Sequence, residues 1–184
     1  NIVAQAAAKG VKLGLWGPGQ PISLDDLKRN YDHGGFLQYK LDFVHFRNHA
    51  QVQELIRKIR AFVLYTGHRV RVNWDVTENQ ARFGYYLGRE YGTIYLENRK
   101  DRCPEWVVYK PHTVLRDIWQ VSRYLTANRF QASVQNIDRV DPAHSDGPAH
   151  SHAYCVAITL MATPLFFQET RHYSAAARTE VRDL

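Results

Sequence analysis

Short β-branched and aromatic runs alternate with helix-patterned segments along the chain, and that alternation leaves few architectures open. Strand character is concentrated in Val11 to Trp16, Tyr39 to Val44, His68 to Val76, Tyr91 to Asn98, Arg129 to Gln135 and Pro164 to Phe167. The clearest helix begins after Asn48. There Val52, Leu55, Ile56, Ile59, Phe62 and Val63 recur at three- and four-residue spacing, forming one apolar stripe that Gly67 closes. Ser23 with Asp26 marks another helix start, Thr113 to Leu125 reads as a second amphipathic helix, and the Ala-rich segment before Gly10 reads as a helix end. Tyr154 to Met161 reads as a helix leading into the last strand. Strands separated by helices predict a parallel sheet, doubly wound or closed. No Gly-x-Gly-x-x-Gly follows a strand, which favours a barrel over a dinucleotide-binding sheet. A complete (β/α)8 TIM-type barrel has eight units and typically about 250 residues, and this 184-residue chain holds about six. The expected fold is therefore α/β: an incomplete barrel over residues 1–184, a single domain fragment lacking the first two strands. Open sheet edges call for partners, so further strands from a longer chain, or a second copy, are expected.

With 45% apolar and 23% charged residues the chain has ordinary globular composition. Its net charge of +6 is spread among acids instead of gathered on one face, so no nucleic-acid partner is expected. No run reaches the roughly 20 apolar residues of a membrane span. Cys103 and Cys155 have neither metal nor redox spacing; a disulfide between them stays open, and so does the compartment. The Pro-, Ala-, His- and Ser-rich stretch Asp141 to His152 reads as a flexible loop. Its His144, His150 and His152 read as solvated side chains, so no metal and no organic cofactor is expected.

Two acids break the apolar strand pattern. Asp42 ends the run from Tyr39 and Glu97 ends the run from Thr93. A carboxylate gains nothing from such packing, whereas carboxyl ends of parallel strands are where barrels place catalytic groups. Lys40 lies two residues from Asp42 and so shares its strand face. Asp75 likewise shares a face with Asn73 and Arg71.

These motifs, taken in order, resemble the catalytic portion of clan D glycoside hydrolases, the α-galactosidase superfamily. Val11 to Trp16 is similar to that family's third strand. Tyr39-Lys40-Leu41-Asp42 resembles its Lys-Trp-Asp element, with Leu41 in place of Trp. Asn73 to Arg82 occupies the place of a Gly-rich loop ending in Arg, without the glycines. Leu96-Glu97-Asn98 aligns with Ser-Asp-Asn, Glu replacing Asp. The resemblance spans roughly residues 10 to 170. It implies a divergent retaining glycosidase acting on an α-linked sugar, with Asp42 as nucleophile and Glu97 as acid/base, their carboxyls about 5–5.5 Å apart. Lys40, Asp75 and Arg82 would then bind substrate hydroxyls, Asp75 being able to replace one of the pair, and Trp16 would offer a platform under the sugar ring. His45 and Arg47 would lie on the rim.

Structural roles stay open beside these. Asp42 is also placed to cap a loop or pair with Lys40, Glu97 to pair with Arg99 or Arg82, and Asp75 to cap a turn with Thr77. Trp16 and Trp74 suit a core as well as a platform, and Trp106 and Trp119 read as packing residues. A carbohydrate-binding barrel without chemistry is the alternative to the hydrolase.

Overall fold

The computed structural model describes residues 1–76, 84, 87, 91–96, 100–103, 106–167 and 170–184. The fold is α/β, its main strands pairing in parallel. The chain forms two compact units, Asn1–Tyr95 and Leu96–Leu184.

The first unit opens with α1 (Ile2–Ala7) and continues through β1 (Gly14–Pro18), α2 (Leu24–Gly34), β2 (Gln38–Asp42), α3 (His49–Tyr65), β3 (Arg71–Asp75) and β4 (Gly92–Leu96). Neighbouring strands pair in chain order, β1 to β4, all parallel. Each helix begins on a side chain the sequence supplies for it. Ser23 accepts a hydrogen bond from the Asp26 N–H, and Asn48 accepts one from the Gln51 N–H. β1 and β3 start later than their apolar runs for a common reason. Gly10 (φ 71°) and the Val11 N–H, which donates to Ala6 O, close α1, so Val11 belongs to the helix cap and β1 begins at Gly14. Gly67 and His68, both left-handed, close α3, and β3 begins at Arg71.

Tyr39, Leu41, Val72, Trp74 and Ile94 occupy one sheet face and are buried. The α3 stripe covers that face: Leu55, Ile59 and Phe62 are buried, and the Phe62 ring meets Tyr39 edge-on at 5.0 Å. Trp74 is fully buried and is core. Burial pushes the Tyr39 phenol up to about 12. At the β3–β4 seam Gly92 has φ 152°, and a Cβ there would overlap the Val72 carbonyl oxygen. Gly92→Ala is expected to cost on the order of 4 kcal/mol of stability. A thermal melt by circular dichroism checks this, and an unchanged midpoint would contradict it.

The second unit contains an antiparallel pair that the sequence pattern did not signal, β5 (Lys100–Cys103) with β6 (Trp106–Val108). Then come α4 (Pro111–Val121), β7 (Phe130–Val134), α5 (His152–Ala157), β8 (Thr163–Phe166) and α6 (Ala175–Arg182), with β7 and β8 parallel. Val114 and Ile118 of α4 are buried, but Trp119 is exposed, with the Arg123 guanidinium 4.3 Å from its ring centroid. Trp119 is thus a surface residue and not a packing one: it follows Ile118 and falls off the helix's buried stripe.

The stretch from Asp141 to His152 is a loop held by specific bonds. Ser145 Oγ accepts from the Tyr109 N–H, the Gly147 N–H donates to Tyr109 O, and His144 Nδ1 lies 2.8 Å from Asp141 Oδ2. His152 is buried, not solvated, between Asn136 and Tyr173. Cys155 is a buried free thiol, which burial pushes up to about 11. Among the described residues no helix is long and apolar enough to cross a membrane, and no three His, Cys, Asp or Glu side chains group as metal ligands.

Candidate functional site

Parallel register builds the site. Trp16, Lys40, Asn73 and Thr93 stand abreast across four strands, on the face opposite Tyr39 and Trp74. One step towards the carboxyl ends, Asp42 pairs in register with Pro18 and Asp75 with Tyr95. This face is polar yet enclosed: Asn73, Asp75 and Thr93 are all buried. Buried polar side chains on β3 and β4, with the part-buried Lys40 of β2 beside them, are costly packing, which marks the face as a place for chemistry or binding.

Lys40 is its hub. Its Nζ lies 2.9 Å from Asp75 Oδ2, 3.6 Å from Asp42 Oδ2 and 4.0 Å from the centre of the Tyr95 ring. The Asp75 side chain is only 4% exposed, so its negative charge is held by this ammonium in a setting that water barely reaches. Lys40 thus pairs more closely with Asp75 than with Asp42, the partner that chain proximity suggests. The sum of the two distances caps the separation of those carboxylate oxygens at about 6.5 Å, no greater than the shortest spacing of inverting glycosidases.

Asp42 is surrounded by donors. Trp16 Nε1–H donates to Oδ2 at 2.8 Å, and the Phe43 N–H donates to Oδ1 at 2.8 Å. With Lys40 these give the carboxylate three donors. The second bond has a conformational cost. Phe43 has φ 50°, a left-handed backbone in a residue with a bulky side chain, and such strain collects at functional positions. That turn ends β2 at Asp42 and swings the Phe43 ring into edge contact with Trp16, centroids 5.7 Å apart. Both rings remain about half exposed, Trp16 at 55% and Phe43 at 52%. Trp16 is therefore an accessible aromatic face beside the carboxylate.

A loop braces the site from behind. The Gly19 N–H donates to Asp42 O at 2.7 Å. Lys58, from α3, donates to the carbonyls of Gly19, Gln20 and Ile22 at 2.7–2.8 Å. Burial pulls the Lys58 ammonium below its usual range, with Glu54 acting in the opposite direction. This lysine, in sequence one of several basic residues on its helix, fixes the loop that fixes the end of β2. His45, Arg47, Gln51 and Glu54 line a cavity of about 640 Å³ between that loop and α3.

The structure brings together Trp16, Lys40, Asp42 and Asp75. Glu97 and Arg82, and with them Thr77, Asn98 and Arg99, lie outside the described residues. Sequence reading passed over two contributors. Tyr95 alternates with Thr93 and so shares the polar face, a signal its strand run contained. Phe43 carried none, because left-handed backbone at a phenylalanine is not written in residue type. Compared with protein families, curated proteins and solved structures, the chain matches none of them.

Proposed function

We propose that this chain is the catalytic portion of a retaining glycoside hydrolase that cleaves an α-linked sugar, α-galactosidase-like, on an incomplete (β/α)8 barrel. One observation carries the reading: a carboxylate at the carboxyl end of a parallel strand, held by three donors beside an exposed tryptophan. The resemblance of the strand-end motifs supports it. Asp42 attacks the anomeric carbon while Glu97 protonates the departing oxygen, leaving a glycosyl ester on Asp42. Glu97 then takes a proton from water, which attacks the same carbon and frees Asp42. Lys40 and Trp16 orient the nucleophile, and the exposed Trp16 and Phe43 rings offer apolar area to a sugar face.

A panel of aryl α- and β-glycosides tests the assignment. Turnover of an α-glycoside is expected, and Asp42→Asn is expected to lower it by more than about a thousandfold with the fold intact. The donors crowding Asp42 also suit a sugar-binding barrel without turnover. Sugar bound equally by the parent and Asp42→Asn, with no hydrolysis by either, would establish that reading instead.

A further inference from the structure

Ser174 starts α6 by accepting a hydrogen bond from the Ala177 N–H, and the helix then divides its faces. Ala177 is buried, and Glu180 Oε1 accepts from the Ala153 N–H of α5 at 2.9 Å. Arg178, Val181 and Arg182, three and four residues apart, share the remaining face. With Phe166, Arg171 and Tyr173 they line a cavity of about 390 Å³, a size that suits a small molecule. Every described residue lining it belongs to the second unit.

The lining combines two chemistries. Phe166, Tyr173 and Val181 supply apolar surface; Phe166 is 37% exposed, and its ring meets Tyr173 edge-on, centroids 6.2 Å apart. Arg171, Arg178 and Arg182 supply positive charge, and no Asp or Glu is among the described lining residues. Arg178 is held in place: its Nε donates to Tyr173 O and its Nη2 to Arg171 O, each at 2.9 Å. A guanidinium fork carries five N–H donors, so Arg178 keeps others that no described residue takes. Arg182 meets Asp183 at 3.4 Å through Nε, but both side chains are mostly exposed, and such a solvated pair is weak.

A guanidinium fork fits a phosphate or carboxylate through paired N–H···O bonds, and one already fixed by backbone carbonyls loses little freedom in forming them. A bare inorganic anion would leave the aromatic surface uncovered. A neutral apolar ligand would leave the arginines without a counter-charge. We propose that this cavity binds a small organic anion, its phosphate or carboxylate on the arginines and its aromatic body against Phe166 and Val181. The site stands apart from the glycosidase reading, and its failure leaves that reading untouched.

Titrating the full chain with phenyl phosphate, benzoate, inorganic phosphate and benzyl alcohol, followed by NMR chemical shifts, tests the proposal. Phenyl phosphate or benzoate is expected to bind with a Kd of about 1 mM or below, roughly tenfold or more tighter than inorganic phosphate or benzyl alcohol. The tighter of the two identifies the oxyanion. Arg178→Gln and Arg182→Gln are each expected to weaken it by about five- to tenfold, because each removes a charge-assisted bond. Arg182→Gln keeps the test decisive if Arg178→Gln, which gives up two backbone contacts, fails to fold. Phe166→Ala should weaken the organic anion and leave inorganic phosphate unchanged. Inorganic phosphate or benzyl alcohol binding as tightly as the organic anions, or full affinity retained by Arg182→Gln, would overturn the proposal. No binding of either organic anion at about 10 mM would do the same.

Discussion

Replacing Lys40 with methionine is expected to lower the stability of the first unit by about 3 kcal/mol, the low end of the cost of breaking a buried ion pair. Methionine keeps the length and much of the volume of the stem, so packing beside Tyr95 survives; the ammonium does not. What is lost is the cation 2.9 Å from an Asp75 carboxylate that is 4% exposed, together with its contact with the Tyr95 ring. Because part of the cost comes from a buried carboxylate that has lost its ammonium, removing that charge too should recover some of it. Lys40→Met with Asp75→Asn is therefore expected to be more stable than Lys40→Met alone, a coupling that a double-mutant cycle in urea reads directly. Equal midpoints for the parent and Lys40→Met would mean that Asp75 is held without the ammonium and that the pair contributes nothing.

The same residues show where sequence is informative and where it stops. The helix over Val52 to Val63 was legible because an apolar stripe at helical spacing has no other use, and its Asn48 cap and Gly67 stop follow local rules. Parallel α/β character was legible because strands and helices alternate. The placing of Lys40, Asp42 and Asp75 on polar faces followed from two-residue alternation alone. Their mutual arrangement did not. Register between strands is set by turns and packing far from the pairing residues, so nothing in the order of amino acids says that Asp75 stands beside Tyr95 or that Lys40 reaches it first. The start of β1 was misjudged because Val11, apolar and β-branched, is consumed by a helix cap. Trp119 was misjudged because large apolar residues are credited to the core by type, while its helical angle places it in solvent.

On the glycosidase reading, Asp75→Asn is expected to damage the proton-transfer step less than Glu97→Gln. A general acid must arrive carrying a proton, and a carboxylate 2.9 Å from an ammonium in a buried setting is placed as a counter-ion. Its role is to hold Lys40 where that ammonium also faces Asp42. Asp75→Asn should lower kcat by about a hundredfold, the scale of losing a positioning contact, with the same factor for good and poor leaving groups. Glu97→Gln should behave differently. Aryl glycosides whose phenolate leaves unaided should keep their first step, poor leaving groups should lose theirs by roughly a thousandfold or more, and added azide should restore turnover as the glycosyl azide by replacing activated water. The leaving-group dependence of both variants distinguishes the roles without reference to overall rate. The reverse pattern, steep dependence and azide rescue in Asp75→Asn, would move the acid/base role to Asp75, which the cap of about 6.5 Å on its oxygen's distance from Asp42 permits geometrically. Lys40 would then have to release that carboxylate to bind a proton, and its closest remaining anion among the described residues would be Asp42, the proposed nucleophile.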